Sequence, residues 1–203
     1  MINNKRILVL LAHPSIKKSE INRPLFSIAQ SLDYVTYVDL YAEYPRFNID
    51  IEKEQQRLLE HDVIIFLFPL YWYSAPALLQ EWKELVLEYK FAYGLDAQQL
   101  KGKSLLCAVS VGAKEKDYCV DGKNHHSLDD FLSPFAGLAN ICRMRYLPPF
   151  SLFSIRSALT DGRLEKHKER WVRLLTYLHE EKTSTDILDW DFLDTLKKSP
   201  WEE

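Results

Sequence analysis

Residues 63–68 read Val-Ile-Ile-Phe-Leu-Phe, six apolar side chains in a row between Asp62 and Pro69. A strand with one wet face alternates apolar and polar residues. An unbroken run of this length buries both faces, as strands do in the middle of a parallel sheet covered by helices on either side. Pro69 has no N–H to give and ends the run. A second run, Ile7-Leu8-Val9-Leu10-Leu11, has the same character. It is too short for the core of a signal peptide and has no small-residue cleavage site behind it, so it reads as another buried strand.

Around these runs the period changes repeatedly. Leu25, Ile28, Ala29 and Leu32 fall at helical spacing, and residues 34–40 alternate as a second strand. A loop with Tyr44-Pro45 and Phe47-Asn48 follows. Asp50 is placed to cap a helix through Gln55 and Leu58-Leu59. After residues 63–68, the third strand, come a helix through Leu78, Leu79, Trp82, Leu85 and Val86, a strand at 105–109 and a helix at 128–141. Residues 146–155 supply the fifth strand and its exit, and a closing helix at 165–178 completes the series. Strands alternating with helices imply βαβ crossovers, hence an α/β fold with a parallel sheet and helices on both faces. Such sheets bind ligands beyond the carboxyl ends of their strands. With 203 residues, one domain is expected, over 1–182. Residues 183–203 form a C-terminal extension of different character, acidic with Leu188, Trp190, Phe192, Leu193 and Trp201. It reads as an arm onto a partner subunit or as a helix packed on its own domain.

Bulk charge narrows the function. A net charge of −3 and the lack of a basic patch argue against nucleic acid and against an anionic membrane surface. No window approaches the ~20 apolar residues of a spanning helix. Cys107, Cys119 and Cys142 are odd in number and have no C-x-x-C spacing, which disfavours a disulfide framework and a zinc site and suits a reducing cytoplasm. Cys107 falls in a buried strand, while Cys119 lies in a loop.

The chemistry is expected in the loops after strands one, three and four. The first contains His13, Ser15, Ser19 and Asn22 directly before a helix, whose free N–H groups and dipole favour an anion such as phosphate. It has no glycine, so it is neither a Walker A loop nor a dinucleotide fingerprint. Read alone, Ser19 and Asn22 are more often simple caps. The next loop, Pro69-Leu70-Tyr71-Trp72-Tyr73-Ser74-Ala75-Pro76, sets three aromatics between two prolines. Three in a row cannot all turn inward from so short a loop, so at least one is displayed, as a shelf for a flat heteroaromatic ring.

Together with Phe47-Asn48-Ile49-Asp50, Phe91-Ala92-Tyr93-Gly94 and Leu147-Pro148-Pro149-Phe150, these segments resemble, in the same order, the flavodoxin-like NAD(P)H:quinone oxidoreductases. The subgroup that they resemble most is the bacterial ancillary oxidoreductases of glutathione-regulated potassium-efflux systems. The resemblance implies a three-layer sandwich with a five-stranded parallel sheet in the order 2-1-3-4-5, a non-covalent flavin (FMN, with FAD as the alternative) and a homodimer. It implies that His13, Ser19, Ile21 and Asn22 hold the flavin phosphate and that Pro69, Leu70, Tyr71, Trp72 and Tyr73 line the isoalloxazine. Where the family's third flavin loop reads Thr-Thr-Gly-Gly, this chain has Ser110, Val111, Gly112 and Ala113, followed by the charged Lys114-Glu115-Lys116. A Cβ at Ala113 is tolerable only where the local φ is negative.

The implied reaction passes hydride from NAD(P)H through flavin N5 to a quinone-like acceptor. Tyr118 and His125 are then the catalytic pair, stabilising negative charge on the reduced ring, with His125 able to donate a proton. Taken without the resemblance, His125 is a solvated loop histidine beside His126, and no carboxylate or thiol at a familiar spacing completes a metal site. A second reading makes the chain a regulatory subunit of a membrane potassium-efflux protein with little turnover, held at the inner face of the cell membrane. A one-electron flavodoxin is disfavoured by His13 and two lysines in the phosphate loop.

Overall fold

The computed structural model describes residues 4–180, so the expected C-terminal extension at 183–203 lies outside the described residues. Its sheet runs β2 (Val35–Asp39), β1 (Ile7–Leu11), β3 (Val63–Pro69), β4 (Ser104–Ser110) and β5 (Arg145–Tyr146), with β6 (Phe150–Leu152) also paired to β4. All of these pairs are parallel, giving the order 2-1-3-4-5.

Every residue of β1, β3 and β4 is buried, and their period-2 pattern divides the core in two. Leu8, Leu10, Ile64, Phe66 and Phe68 face one layer, formed with α2 (Leu40–Glu43), α3 (Ile51–Glu60), α4 (Ala77–Val86) and α5 (Leu128–Ile141). Ile7, Val9, Leu11, Val63, Ile65 and Leu67 face the other, where α1 (Asn22–Gln30) and α7 (Arg163–Glu180) supply Leu25, Ala29, Trp171, Leu174, Leu175 and Leu178. Truncating any of these leucines to alanine would cost about 2–5 kcal/mol. The remaining α-helix among the described residues is the short α6 (Ile155–Ala158).

The local signals place most helix ends. Asp50 caps α3, its Oδ1 accepting the Lys53 N–H at 3.0 Å. Ser127 and Asp130 form a capping box that starts α5. Glu54, fully buried, is compensated on three sides: it accepts from the Tyr44 hydroxyl at 2.6 Å and from Trp82 Nε1 at 2.9 Å, and it pairs with Arg57. That network ties α2 and α3 to α4.

Two local expectations are corrected. Residues 146–155 do not form one continuous strand. Pro148 and Pro149 supply no N–H, so the ladder on β4 stops after the Leu147 N–H bonds Leu105 and resumes at Phe150. Leu40, expected at a strand end, instead opens α2, because the Asp39 carboxylate accepts the Tyr41 and Ala42 N–H groups and turns the chain into a helix. Among the described residues no helix is long and apolar enough to cross a membrane.

Candidate functional site

The chain leaves β1 toward β2 on one side and reaches β3 on the other, so the carboxyl ends of β1 and β3 open a crevice. A cavity of about 450 Å³ occupies it, within the ~300–1,000 Å³ usual for small-molecule sites. The loop after β1 contributes His13, Ser15, Lys18, Ser19, Glu20 and Ile21. Pro69, Leu70 and Tyr71 come from the end of β3, Ser110 and Gly112 from the end of β4, and Ile155 and Arg156 from α6.

His13 is buried at the bottom of its loop. The Ser15 N–H donates to its Nδ1 at 3.0 Å, so in the neutral ring the proton sits on Nε2, 3.4 Å from the Tyr71 hydroxyl. Burial lowers the His13 pKa, against a weaker pull upward from the Asp39 carboxylate. The ring is therefore a neutral donor at physiological pH. Ser19 Oγ accepts the Asn22 N–H at 3.0 Å and so starts α1 while also lining the cavity. Asn22 is buried, its Nδ2 donating to Ser110 Oγ at 3.1 Å across the crevice. Its Oδ1 has no partner among the described residues, an open acceptor beside two cavity-lining residues.

The aromatic loop is a two-residue hairpin closed by reciprocal Tyr71 and Ser74 backbone bonds of 3.1 and 3.0 Å. Trp72 and Tyr73 at its tip have φ of 49° and 63°. A turn with left-handed φ at both centres normally uses Asn and Gly; large aromatics there carry backbone strain. All three aromatics are exposed, Trp72 at 94%. Tyr73 stacks on Phe131 and donates to Asn124 Oδ1 at 3.1 Å, which braces the hairpin against α5.

In the loop after β4, Val111 is core and Ala113 is exposed; neither Gly112 nor Ala113 has positive φ, so the Cβ of Ala113 adds no backbone strain. A Cβ built on Gly112 would meet no protein atom within 4 Å. Neither chain conformation nor protein packing requires glycine at this wall.

Tyr118 and His125 do not line this cavity. Tyr118 packs on Phe131 and Phe153 at the edge of a second depression of about 220 Å³, together with Glu115, Asp129 and Ser151. Burial raises its pKa, so the phenol keeps its proton. His125 is exposed, with φ 56°, and its Nδ1 lies 3.3 Å from the Val120 carbonyl. Cavity residues that sequence reasoning did not single out are Glu20, Ile155, Arg156 and Leu159; the last three lie at or past the end of the expected fifth strand, and none of the four carries a motif. Cys107 is buried and held at about 12 by burial, and Cys119 is exposed.

A family described as Flavodoxin-like fold matches residues 5–175. The chain belongs to that family. Among curated relatives, the glutathione-regulated potassium-efflux system ancillary protein KefG of Cronobacter sakazakii is 43% identical over 177 residues, spanning 85% of this chain and 95% of the relative. Among solved structures, general stress protein 14 of Treponema denticola in complex with FMN aligns with a TM-score of 0.79 at 36% identity, over 85% of this chain and 99% of that one. An NADPH-quinone reductase from P. pentosaceus aligns with a TM-score of 0.74 at 30% identity, over 84% and 97%.

The flavodoxin-like cavity fits a flavin mononucleotide on its own features. The His13 Nε2–H, the Ser15 and Ser19 hydroxyls and Lys18 gather at the start of α1, where a phosphate is favoured. The open Asn22 Oδ1 suits a hydroxyl donor such as a ribityl chain offers. The vacant Cβ position of Gly112 leaves room for a ring edge.

Proposed function

We propose that this chain is an FMN-dependent NAD(P)H:quinone oxidoreductase. The observation that carries the reading is the polar corner at the end of β1 and β4: a neutral buried His13 with its proton on Nε2, and a buried Asn22 joined to Ser110 with one acceptor open. The FMN-bound and quinone-reductase structures that align with it support the cofactor and the acceptor class. The bound flavin would supply hydride acceptance from a reduced nicotinamide and hydride donation to a quinone.

The chain's own residues then divide the work. His13, Ser19, Ile21 and Asn22 hold the phosphate and its linker. Pro69, Leu70, Tyr71, Trp72 and Tyr73, with Ser110, Val111, Gly112 and Ala113, form the walls around the ring; the Leu70, Tyr71 and Val111 N–H groups already serve the Ser110, Ser74 and Leu152 carbonyls, so donation to the ring falls to the N–H groups at the tips of the two loops. Tyr118, a protonated phenol, would donate toward the charge of the reduced state, and His125 would join it only with its ring turned so that an N–H, rather than the bare Nε2 left by the Nδ1–H bond to Val120, faces the flavin. The exposed Trp72 and Tyr89 suit a homodimer.

A second reading is favoured by the 43% identity to a potassium-efflux ancillary protein over most of both chains. In it the protein binds a membrane partner from the cytoplasmic side, and flavin turnover is dispensable.

The test is the visible spectrum of protein reconstituted with FMN, followed anaerobically while NADH or NADPH and then a benzoquinone are added. Flavin bands that bleach with nucleotide and return with quinone support the enzyme. A protein that takes up no FMN sinks it and leaves the regulatory reading. In the same assay His13→Ala should release FMN at least about tenfold more readily, the loss of one hydrogen bond to a charged group.

A further inference from the structure

Arg163 forms no part of the cavity wall, yet its side chain holds two stretches of that wall in place. Ser154 adopts a left-handed conformation, φ 51° and ψ 50°. Arg163 Nη1 donates to the Phe153 carbonyl at 2.9 Å and Nη2 to the Ser154 carbonyl at 3.3 Å. Nη2 also donates to Ser157 Oγ at 2.7 Å, and Nε to Asp161 Oδ2 at 2.9 Å. The amide side of the same turn points elsewhere: the Ser154 and Ile155 N–H groups donate to the Ala113 and Val111 carbonyls at 2.9 and 3.3 Å, and the Val111 N–H returns to the Leu152 carbonyl at 2.8 Å. Gly112 is thereby strapped from both neighbours to the turn that carries Ile155 and Arg156.

We infer that Arg163 is the positioning residue of this wall: its guanidinium fixes the left-handed turn at Ser154, and through that turn the 111–113 loop and Ile155 and Arg156, in the shape that accepts FMN. The inference rests on the flavin reading above. A non-glycine residue at positive φ persists only where its surroundings over-determine it. Here the surroundings are four acceptors met by one rigid planar fork, which the single ammonium of lysine cannot reproduce. Without the fork, Ser154 relaxes toward negative φ and its N–H leaves the Ala113 carbonyl. The cavity then loses the fixed position of Gly112 and of the Arg156 cation together.

The experiment compares the parent with Arg163→Ala and Arg163→Lys by two readouts, at a temperature where each apoprotein is folded. The first is amide hydrogen exchange in the apoprotein, free of any flavin. Both variants should exchange at least about tenfold faster at Val111, Ser154 and Ile155, with no change in β1 or β3. The second is FMN affinity by fluorescence quenching, with the visible circular dichroism of the bound ring. Both variants should bind at least about tenfold more weakly, and the residual bound flavin should show an altered dichroic band. Exchange rates at the parent level in both variants overturn the inference, and so does faster exchange with parental FMN affinity and dichroism. If Arg163→Ala does not fold, Arg163→Lys decides by the same criteria. A parent that binds no FMN refutes the flavin reading and with it the role toward FMN, while the exchange data still decide whether Arg163 holds the loop.

Discussion

Lowering the pH from 7 to 5 should cost the native state about 2 kcal/mol through one side chain, His167. His167 is 3% exposed and stacks on Phe150 at 4.1 Å, and its Nδ1 has no partner among the described residues. Burial pushes its pKa down to about 3, and the neighbouring Arg170 guanidinium pushes the same way. In an unfolded chain the group titrates near 6.5. Above pH 6.5 both states are neutral and the group adds nothing to the pH dependence. Below it the unfolded chain takes a proton that the folded chain refuses, so stability falls by up to about 1.4 kcal/mol per pH unit until the folded pKa is reached. Summed from pH 7 to 5 this gives about 2 kcal/mol, and any folded pKa below about 4 gives the same figure. The assay is urea unfolding at pH 7, 6 and 5, read by tryptophan emission, to which the buried Trp82 and Trp171 both contribute, for the parent and for His167→Leu. His13 and His61, whose pKa values burial also lowers, titrate in the same direction but are common to both proteins and cancel in the difference. The parent should lose about 2 kcal/mol more than the variant over this range. A stability difference that stays constant from pH 7 to 5 would refute the argument.

Two further substitutions separate folding from binding. Gly112→Ala should leave urea unfolding of the apoprotein within about 0.5 kcal/mol of the parent, since its Cβ meets no protein atom, while raising the Kd for FMN about tenfold or more. Equal FMN affinity would remove Gly112 from the ring site. Ser154→Gly should raise stability by about 0.5–1 kcal/mol, because relief of the left-handed penalty exceeds the extra chain entropy of glycine. A lower thermal midpoint than the parent's would contradict the conformation described for the turn.

What the sequence revealed followed how local each signal was. The apolar runs at 7–11 and 63–68 specify buried strands because burial on both faces leaves no alternation. Asp50 announces α3 by cap chemistry that acts over three residues. Pro148 and Pro149 were equally local, but apolar and aromatic neighbours on both sides made one strand of what the missing N–H groups divide into two. The Asn22 to Ser110 bond spans 88 positions and becomes legible only through topology, which brings the ends of β1 and β4 to one side. Arg163 was invisible for a different reason. Its partners are main-chain carbonyls, and any residue type supplies those, so no side-chain pattern marks them. Ser154 likewise adopts a backbone conformation that glycine or asparagine would have signalled.

The double proline beside β4 also shapes how the sheet can meet other molecules. A long flat outer strand offers a strip of unpaired N–H and C=O groups onto which another chain can add, copy after copy. Here that border is two residues, a proline gap and three residues, with the ladder out of step between them. No incoming strand finds a continuous template there. Self-association on this side is left to helices and loops, where the symmetry of the contact rather than strand templating decides whether the assembly closes.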